Sequence, residues 1–277
     1  MTELLRVRIG LIGAGNMGRA LLGGLRRRGV PASRLLAADA NPAAARAVRR
    51  RLGVANVSID ELARRCAIVV LAVKPQDLRP VLEQVRRALG ARSSRVLVVS
   101  IAAGVTLAAL QRRLGPVAVI RVMPNLPATV GAGMSAISPG RRATARQRRL
   151  ARAIFQSVGE VVELPERHLD AVTAVSGSGP AYFFLVCKAL TDAGAAHGLP
   201  VAVAQRLAVQ TALGAARLAA RSVEPLEAQI ARVASKKGTT EAALKVLRRR
   251  RFEHALRAAV SAAAARSREM SCLCSMR

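Results

Sequence analysis

Aromatic side chains are scarce: four Phe, one Tyr and no Trp in 277 residues. Proteins that grip single-stranded nucleic acid stack bases on aromatic rings set among basic residues, and that ladder is missing here. Cysteine is as sparse. Cys66 precedes an apolar run, Cys187 lies in an apolar helical stretch, and Cys272 and Cys274 sit together in a frayed tail. No second pair completes a zinc-type spacing and no disulfide framework is laid out, so free thiols in a reducing compartment are expected, with no metal site. Long hydrophobic runs are also short of what a membrane needs. The longest, Val96 to Leu110, is broken by Ser100, Gly104 and Thr106, whereas a spanning helix takes about 20 apolar residues. Glu3 and an early glycine-rich turn stand where a signal peptide would carry its apolar core. A cytoplasmic protein without a membrane partner is expected.

Acids are few, 16 against 45 Lys and Arg, which leaves a net charge of +29. Lys supplies five of the basic residues and Arg the other 40. They are scattered, with small clusters at Arg26–Arg28, Arg49–Arg51 and Arg248–Arg251. A dedicated nucleic-acid surface concentrates its charge. Weak nonspecific attraction to polyanions is the expectation, with no specific nucleic-acid partner. Apolar residues make up 52% and charged ones 22%, the balance of a folded chain with a substantial core.

The first half alternates β-rich runs with helical patterns. Strands are expected at Val7–Ile12, Leu35–Ala38, Ile68–Val73, Val96–Ser100 and Ala118–Val122. Helices are expected at Asn16–Arg28, Pro42–Leu52, Gln76–Leu89 and Leu107–Leu114. Continuous apolar strands separated by helices imply a mainly parallel, doubly wound α/β sheet covered on both faces. Beyond about Leu164 the pattern turns helical: Ala181–His197, Ala202–Arg221, Leu226–Ala234, Thr239–Arg249 and Phe252–Glu269, with apolar residues three and four apart. The stretch Val175-Ser-Gly-Ser-Gly-Pro-Ala-Tyr182 reads as a flexible loop that opens the first of these helices. Two domains follow, 1–165 for a dinucleotide and 166–277 all helical. So much Ala-lined apolar surface in the second predicts a homodimer.

Gly13-x-Gly15-x-x-Gly18 follows a predicted strand and opens a predicted helix, the setting that a dinucleotide fingerprint requires. The first glycine permits the tight turn, the second lets backbone approach a pyrophosphate, and the third lets helix pack on strand. Asp39 ends the second strand, where a carboxylate bonds ribose hydroxyls and disfavours a 2′-phosphate. Asn41 and Arg46 nearby could still accommodate one, so NADPH and NADH both stand. Ala72-Val-Lys-Pro75 and Ile101-Ala-Ala-Gly104 end two further strands, beyond whose carboxyl edge ligands bind. Lys74 is read as facing the cofactor, with a strand-capping role as the alternative.

Taken together, Ile12-Gly-Ala-Gly-Asn-Met-Gly18, Ala72-Val-Lys-Pro75, Ser100-Ile-Ala-Ala-Gly104, Arg121-Val-Met-Pro-Asn125 and Asp170-Ala-Val-Thr-Ala-Val-Ser-Gly-Ser-Gly-Pro-Ala-Tyr182 resemble the pyrroline-5-carboxylate reductase family. Gly194 to Pro200, Gln210–Gly214 and Gly238-Thr-Thr240 continue the resemblance, from about residue 7 to 269. It implies a Rossmann domain followed by an all-α dimerisation domain, often assembled as a decamer of five dimers. The implied reaction is NAD(P)H-dependent reduction of 1-pyrroline-5-carboxylate to L-proline, the last step of proline biosynthesis. Matching positions place cofactor contacts on Ile12, Gly13, Ala14, Gly15, Asn16 and Met17, on Ala72, Val73, Lys74 and Pro75, and on Ile101, Ala102 and Ala103. They place substrate contacts on Glu166, Thr239 and Thr240, with Thr240 at the catalytic centre.

The poverty of acid and base residues agrees with such chemistry. The three histidines, at 168, 197 and 254, lie outside the glycine motifs. A protonated cyclic imine accepts hydride at carbon and becomes a neutral amine without a positioned proton donor, so orientation and electrostatics carry the reaction. Glu166 favours the cationic imine, or else caps the domain junction. The N–H groups of the helix opening at Thr239 receive the substrate carboxylate, and the middle glycine string, Ser176 to Pro180, shapes the floor beneath the nicotinamide. Several positions depart from the family pattern. Lys236 and Lys237 stand for Pro and Gly ahead of Gly238-Thr-Thr240, Leu126 for Thr, and Arg248 for an acid. Ile59 and Asp60 replace the region of an adenosine-facing Asn, so no cofactor contact is assigned there. Lys237 is costly if its φ is positive, by about 1 kcal/mol. The alternatives are a reductase of another cyclic imine, a diverged member with weak activity, or a polyanion-binding regulatory protein on the same scaffold.

Overall fold

The computed structural model describes residues 3–276, with side chains as far as residue 271. Strands β1 (Ile9–Ile12), β2 (Leu35–Ala38), β3 (Ala55–Asn56), β4 (Ile68–Leu71), β5 (Leu97–Ser100), β6 (Ala118–Met123), β7 (Gly133–Pro139) and β8 (Gly159–Glu163) form one sheet. Their order is β3-β2-β1-β4-β5-β6-β7-β8. Among the described residues only the β6–β7 pairing is antiparallel. Helices α1 (Asn16–Arg27), α2 (Pro42–Leu52), α3 (Ile59–Arg65), α4 (Leu78–Leu89), α5 (Leu107–Leu114) and α6 (Ala145–Gln156) cover its two faces.

Alternation along the strands explains the covering. Ile68 and Val70 belong to one apolar cluster, with Leu21, Leu25 and Phe155. Val69 and Leu71 belong to the other, with Leu62, Leu82 and Leu110. Side chains two apart share a face, so a fully apolar strand serves both layers. Local chemistry sets the helix ends. Asn41 Oδ1 accepts from Ala43 N and Ala44 N at the start of α2, ahead of Pro42. Thr106 Oγ1 accepts from Ala109 N at the start of α5.

The chain divides into two compact units, Met1–Gly177 with Ala263–Arg277, and Ser178–Ala262. The division falls later than the 165/166 boundary expected from sequence, and it returns the end of the chain to the first unit. The second unit contains α8 (Gly179–Ala196), α9 (Val201–Arg221), α10 (Leu226–Val233), α11 (Thr239–Arg249) and the first part of α12 (Phe252–Met276), after a short α7 (Leu169–Val172) in the first. Between α8 and α9 the chain turns through Gly198 at φ 90°. A Cβ on Gly194 would stand 3.0 Å from Ala204 Cβ, so the small residues let these two helices pack closely.

Three expectations are corrected. Thr173–Gly177 is a π-helical turn, not a flexible loop: Thr173 Oγ1 donates to Leu169 O and the turn runs into α8. Pro180 fits because a first-turn residue has no intrahelical N–H to lose. The helix expected to stop at Glu269 continues to Met276; the side chains of Cys272 and Cys274 lie outside the described residues. Where the sequence reading considered Val96–Leu110, a membrane-length candidate appears at the helical stretch Glu166–Ala196. By length and composition alone it suffices to cross a membrane, and 17% of its most apolar window is buried.

Candidate cofactor and substrate site

Parallel pairing sets Ile12 beside Ala38 on one side and Leu71 on the other. The chain therefore leaves the sheet at adjacent points after β1, β2 and β4. Gly13 N donates to Ala38 O at 2.8 Å, Ala72 N to Ile12 O at 2.7 Å, and Ile101 N to Leu71 O at 3.1 Å. These bonds tie the loop starts after β1, β4 and β5 to the ends of the neighbouring strands at the carboxyl edge, where α/β sheets bind ligands.

Each glycine of the first turn has a distinct physical reason. Gly13 has φ 102°, and a Cβ there would lie 2.6 Å from Ala72 O. A Cβ on Gly18 would lie 2.1 Å from Gly13 O, so helix and strand could not approach. Gly15 is different: nothing lies within 4 Å of the place where its Cβ would be. The protein's own packing leaves that position free, and it is the one that must admit a pyrophosphate. No side chain caps α1 at Gly15, so the first-turn N–H groups face open space. The residues fit a dinucleotide.

A cavity of about 540 Å³ extends from this turn, lined by Ile12, Gly13, Gly15, Asp39, Ala72, Val73 and Lys74 among the residues expected from sequence. The other expected contacts do not line it. Ala14 N donates to Asp39 Oδ2. Asn16 Oδ1 accepts from Arg19 and lies in a separate hollow with Arg27 and Arg51. Met17 and Ile101 pack against one apolar core, Ala102 is buried, Ala103 lies apart from the cavity in the loop after β5, and Pro75 opens a short 3-10 turn. Lys74 caps nothing with its side chain and lines the cavity.

The sequence reading missed Ala38, Ala40, Val57, Ser58, Ile59, Asp77, Val81 and Gln84, which complete the wall. Gln84 Nε2 donates to Asp60 Oδ2 at 2.5 Å. Their signal was partly visible: Ser58, three residues ahead of Glu61, is a helix-start pattern, and Ser58 Oγ accepts from Glu61 N at 3.1 Å. No histidine lines the cavity.

Glu166 is held within the first unit. Its Oε1 accepts from Leu107 N, the first residue of α5, at 2.7 Å and from Arg121 at 3.0 Å. The Arg121 side chain is 6% exposed and that of Glu166 30%. Close by in sequence to Arg121, Asn125 Nδ2 donates to Ser176 O and Oγ, both at 3.2 Å, while its Oδ1 accepts from Met134 N at 2.8 Å. Asn125 thus fastens the π turn to the end of β6 and the start of β7.

In the second unit, Thr239 and Thr240 open α11. Gly238 N donates to Ser235 O at 3.0 Å, and a Cβ on Gly238 would stand 2.3 Å from Ser235 Oγ. Lys237 has φ 60°, the left-handed backbone that glycine adopts freely and a side chain only at a cost. Its N–H donates to Glu241 Oε2, and Glu241 also pairs with Lys245 at 3.2 Å. No side chain caps α11, so its end retains N–H groups for an anion. Apart from this, Phe183, Phe184, Leu185, Leu190 and Leu207 are exposed on α8 and α9. So large an apolar surface calls for a covering partner.

Sheet order, glycine turn and cavity define a dinucleotide-binding α/β protein of the doubly wound class. Residues 166–270 match the family model for pyrroline-5-carboxylate reductase dimerisation, and residues 8–104 that for NADP oxidoreductase, coenzyme F420-dependent. The chain belongs to the pyrroline-5-carboxylate reductase family. It is 43% identical over 268 residues to the pyrroline-5-carboxylate reductase of Pseudomonas aeruginosa, covering 95% of this chain and 97% of that one. It is 41% identical over 265 residues to that of Pisum sativum, covering 95% and 96%. The solved reductase of Coxiella burnetii superposes with a TM-score of 0.91 at 34% identity, covering 96% of this chain and 98% of that one. The pyrroline carboxylate reductase of Plasmodium falciparum, solved with NADP bound, gives 0.84 at 29% identity over 96% and 98%. The exposed apolar faces of α8 and α9 lie within the matched dimerisation segment.

Proposed function

We propose that this chain reduces 1-pyrroline-5-carboxylate to L-proline with a reduced nicotinamide dinucleotide, as the last step of proline biosynthesis. The observation that carries the reading is the open space before Gly15 at the mouth of the cavity, in a chain 43% identical to a reductase of that name. The bound cofactor supplies hydride; the protein supplies orientation. The turn from Ile12 to Met17 and the end of α1 hold the pyrophosphate, and the loops Ala72–Pro75 and Ile101–Ala103 flank the cofactor. Asp39 binds the adenosine ribose.

Thr240 is the catalytic-site residue: with Thr239 it fixes the substrate carboxylate through backbone N–H and hydroxyl groups. Glu166 contributes its second oxygen, Oε2, to a cationic imine, since Oε1 is engaged with Arg121 and Leu107. The cation needs no acid in the transition state, in keeping with a cavity that no histidine lines. The enzyme works as a cytoplasmic homodimer joined through the helical unit, with five dimers forming a decamer. The test is oxidation of NADH or NADPH dependent on added pyrroline-5-carboxylate. Folded dimer that is silent with both cofactors would overturn the reading.

A further inference from the structure

Asp39 stands at the end of β2 on the rim of the cavity, and three bonds fix it there. Its Oδ2 accepts from Ala14 N in the glycine turn, and its Oδ1 from Asn41 N at 2.7 Å. Its own N–H donates to Asn56 Oδ1 at 3.1 Å. Each carboxylate oxygen has thus accepted one backbone donor and keeps capacity for a hydroxyl. Among the described residues Asp39 forms no ion pair.

Among the residues that line the cavity, Lys74 is the one cation. Arg46, the basic residue nearest in sequence, is exposed on α2 and does not line the cavity. Lys74 does line it, but follows β4, and β1 lies between β4 and β2; the two positions are separated by two strand spacings, about 10 Å. The Asn41 backbone N–H is already given to Asp39 Oδ1, and its side-chain Oδ1 caps α2. A ribose bearing two hydroxyls meets an acceptor at this corner. A 2′-phosphate, with a charge of about −1.5 to −2 near neutral pH, meets a fixed negative charge.

We propose that the cofactor site of this chain selects NADH over NADPH, with Asp39 accepting the ribose hydroxyls and repelling a 2′-phosphate. A relative solved with NADP bound shows that the family does not impose this preference; it comes from this chain's own rim. The inference rests on the proposed function for the reaction, but not for the binding preference.

The experiment measures dissociation constants for NAD⁺ and NADP⁺ by calorimetry, and kcat/KM for NADH and NADPH with pyrroline-5-carboxylate. Wild type is expected to bind NAD⁺ about tenfold or more tightly than NADP⁺, with kcat/KM in the same order. Asp39→Asn removes the charge and keeps an acceptor; the ratio should fall towards unity. Asp39→Ser with Ala40→Arg should invert it, because Ala40 lies exposed on the same rim. Equal binding or an NADP⁺ preference in wild type overturns the inference, as does a ratio unchanged in folded Asp39→Asn. Turnover with NADPH preferred would sink the inference and leave the reductase reading intact. Selective NAD⁺ binding without turnover would uphold the inference and remove the reductase reading.

Discussion

Arg121 in β6 and Glu166, just past β8, meet at 3.0 Å, and the same carboxylate oxygen takes the N–H that opens α5. The guanidinium is almost wholly enclosed, and this carboxylate is the charge that offsets it. Glu166→Ala should cost about 2–4 kcal/mol, because it strands a buried cation and an unpaired N–H. Glu166→Gln keeps an acceptor and should cost less. Urea unfolding of the two variants checks the order; equal stability of alanine variant and wild type would refute it.

Lys237 carries a side chain where the backbone has φ 60°. Lys237→Gly should stabilise the helical unit by about 1 kcal/mol, the left-handed penalty that a β-carbon brings. Chemical denaturation gives the sign. A glycine variant less stable than wild type would mean that the N–H to Glu241 depends on the lysine.

Gly13 and Gly15 should respond differently to a methyl group. Gly13→Ala meets Ala72 O at 2.6 Å on a positive φ and should lower Tm. The Cβ that Gly15→Val adds has no protein neighbour within 4 Å, so Tm should change little while dinucleotide binding weakens by about tenfold or more. Calorimetry and thermal melts separate the two. Unchanged affinity in Gly15→Val would show that the pyrophosphate lies elsewhere.

Thr240→Ala should raise KM for the imine several-fold and leave the cofactor KM nearly unchanged, because a carboxylate contact is worth about 1–3 kcal/mol. Steady-state kinetics at saturating cofactor decides it. An imine KM at the wild-type value would remove Thr240 from the site.

Burial pushes the Cys66 thiol up from its ordinary value of 9.0 to about 12, against the opposing pull of Arg65, Arg8 and Arg92. The unfolded thiol releases its proton near 9 and the native one does not. This contribution to stability is therefore complete below about 9 and is lost as pH climbs to about 12. Native protein at pH 8 should leave Cys66 unmodified by iodoacetamide, read by peptide mass mapping, while urea-unfolded protein reacts. Rapid native modification would show the pocket around Cys66 to be open.

Elements with a dense apolar signal were legible in the sequence, several to the residue: Leu35–Ala38, Pro42–Leu52, Leu107–Leu114 and Thr239–Arg249. Elements built from small or polar residues were not. β7 reads Gly-Met-Ser-Ala-Ile-Ser-Pro and β8 reads Gly-Glu-Val-Val-Glu, where tertiary pairing decides and intrinsic preference is weak. β3 has two residues and α3 seven, too short for periodicity to register. The cofactor turn was legible because its glycines answer backbone contacts between neighbouring strands. The far wall was not, since Ile59, Val81 and Gln84 reach it from separate helices. Ser-Gly-Ser-Gly-Pro was mistaken for a loop because glycine and serine suit turns, whereas Thr173–Gly177 is a π-helical turn whose Ser176 is bound by Asn125.

The first unit also contains the last turns of α12. Ser267 Oγ donates to Asp170 at 2.7 Å, and a Cβ on Gly104 would stand 3.2 Å from Met270. A ribosome therefore releases the nucleotide-binding half before the segment that finishes it has been made. That half waits through the whole synthesis of the helical unit in an incomplete form, and a truncation that removes Ser267 and Met270 takes away part of it.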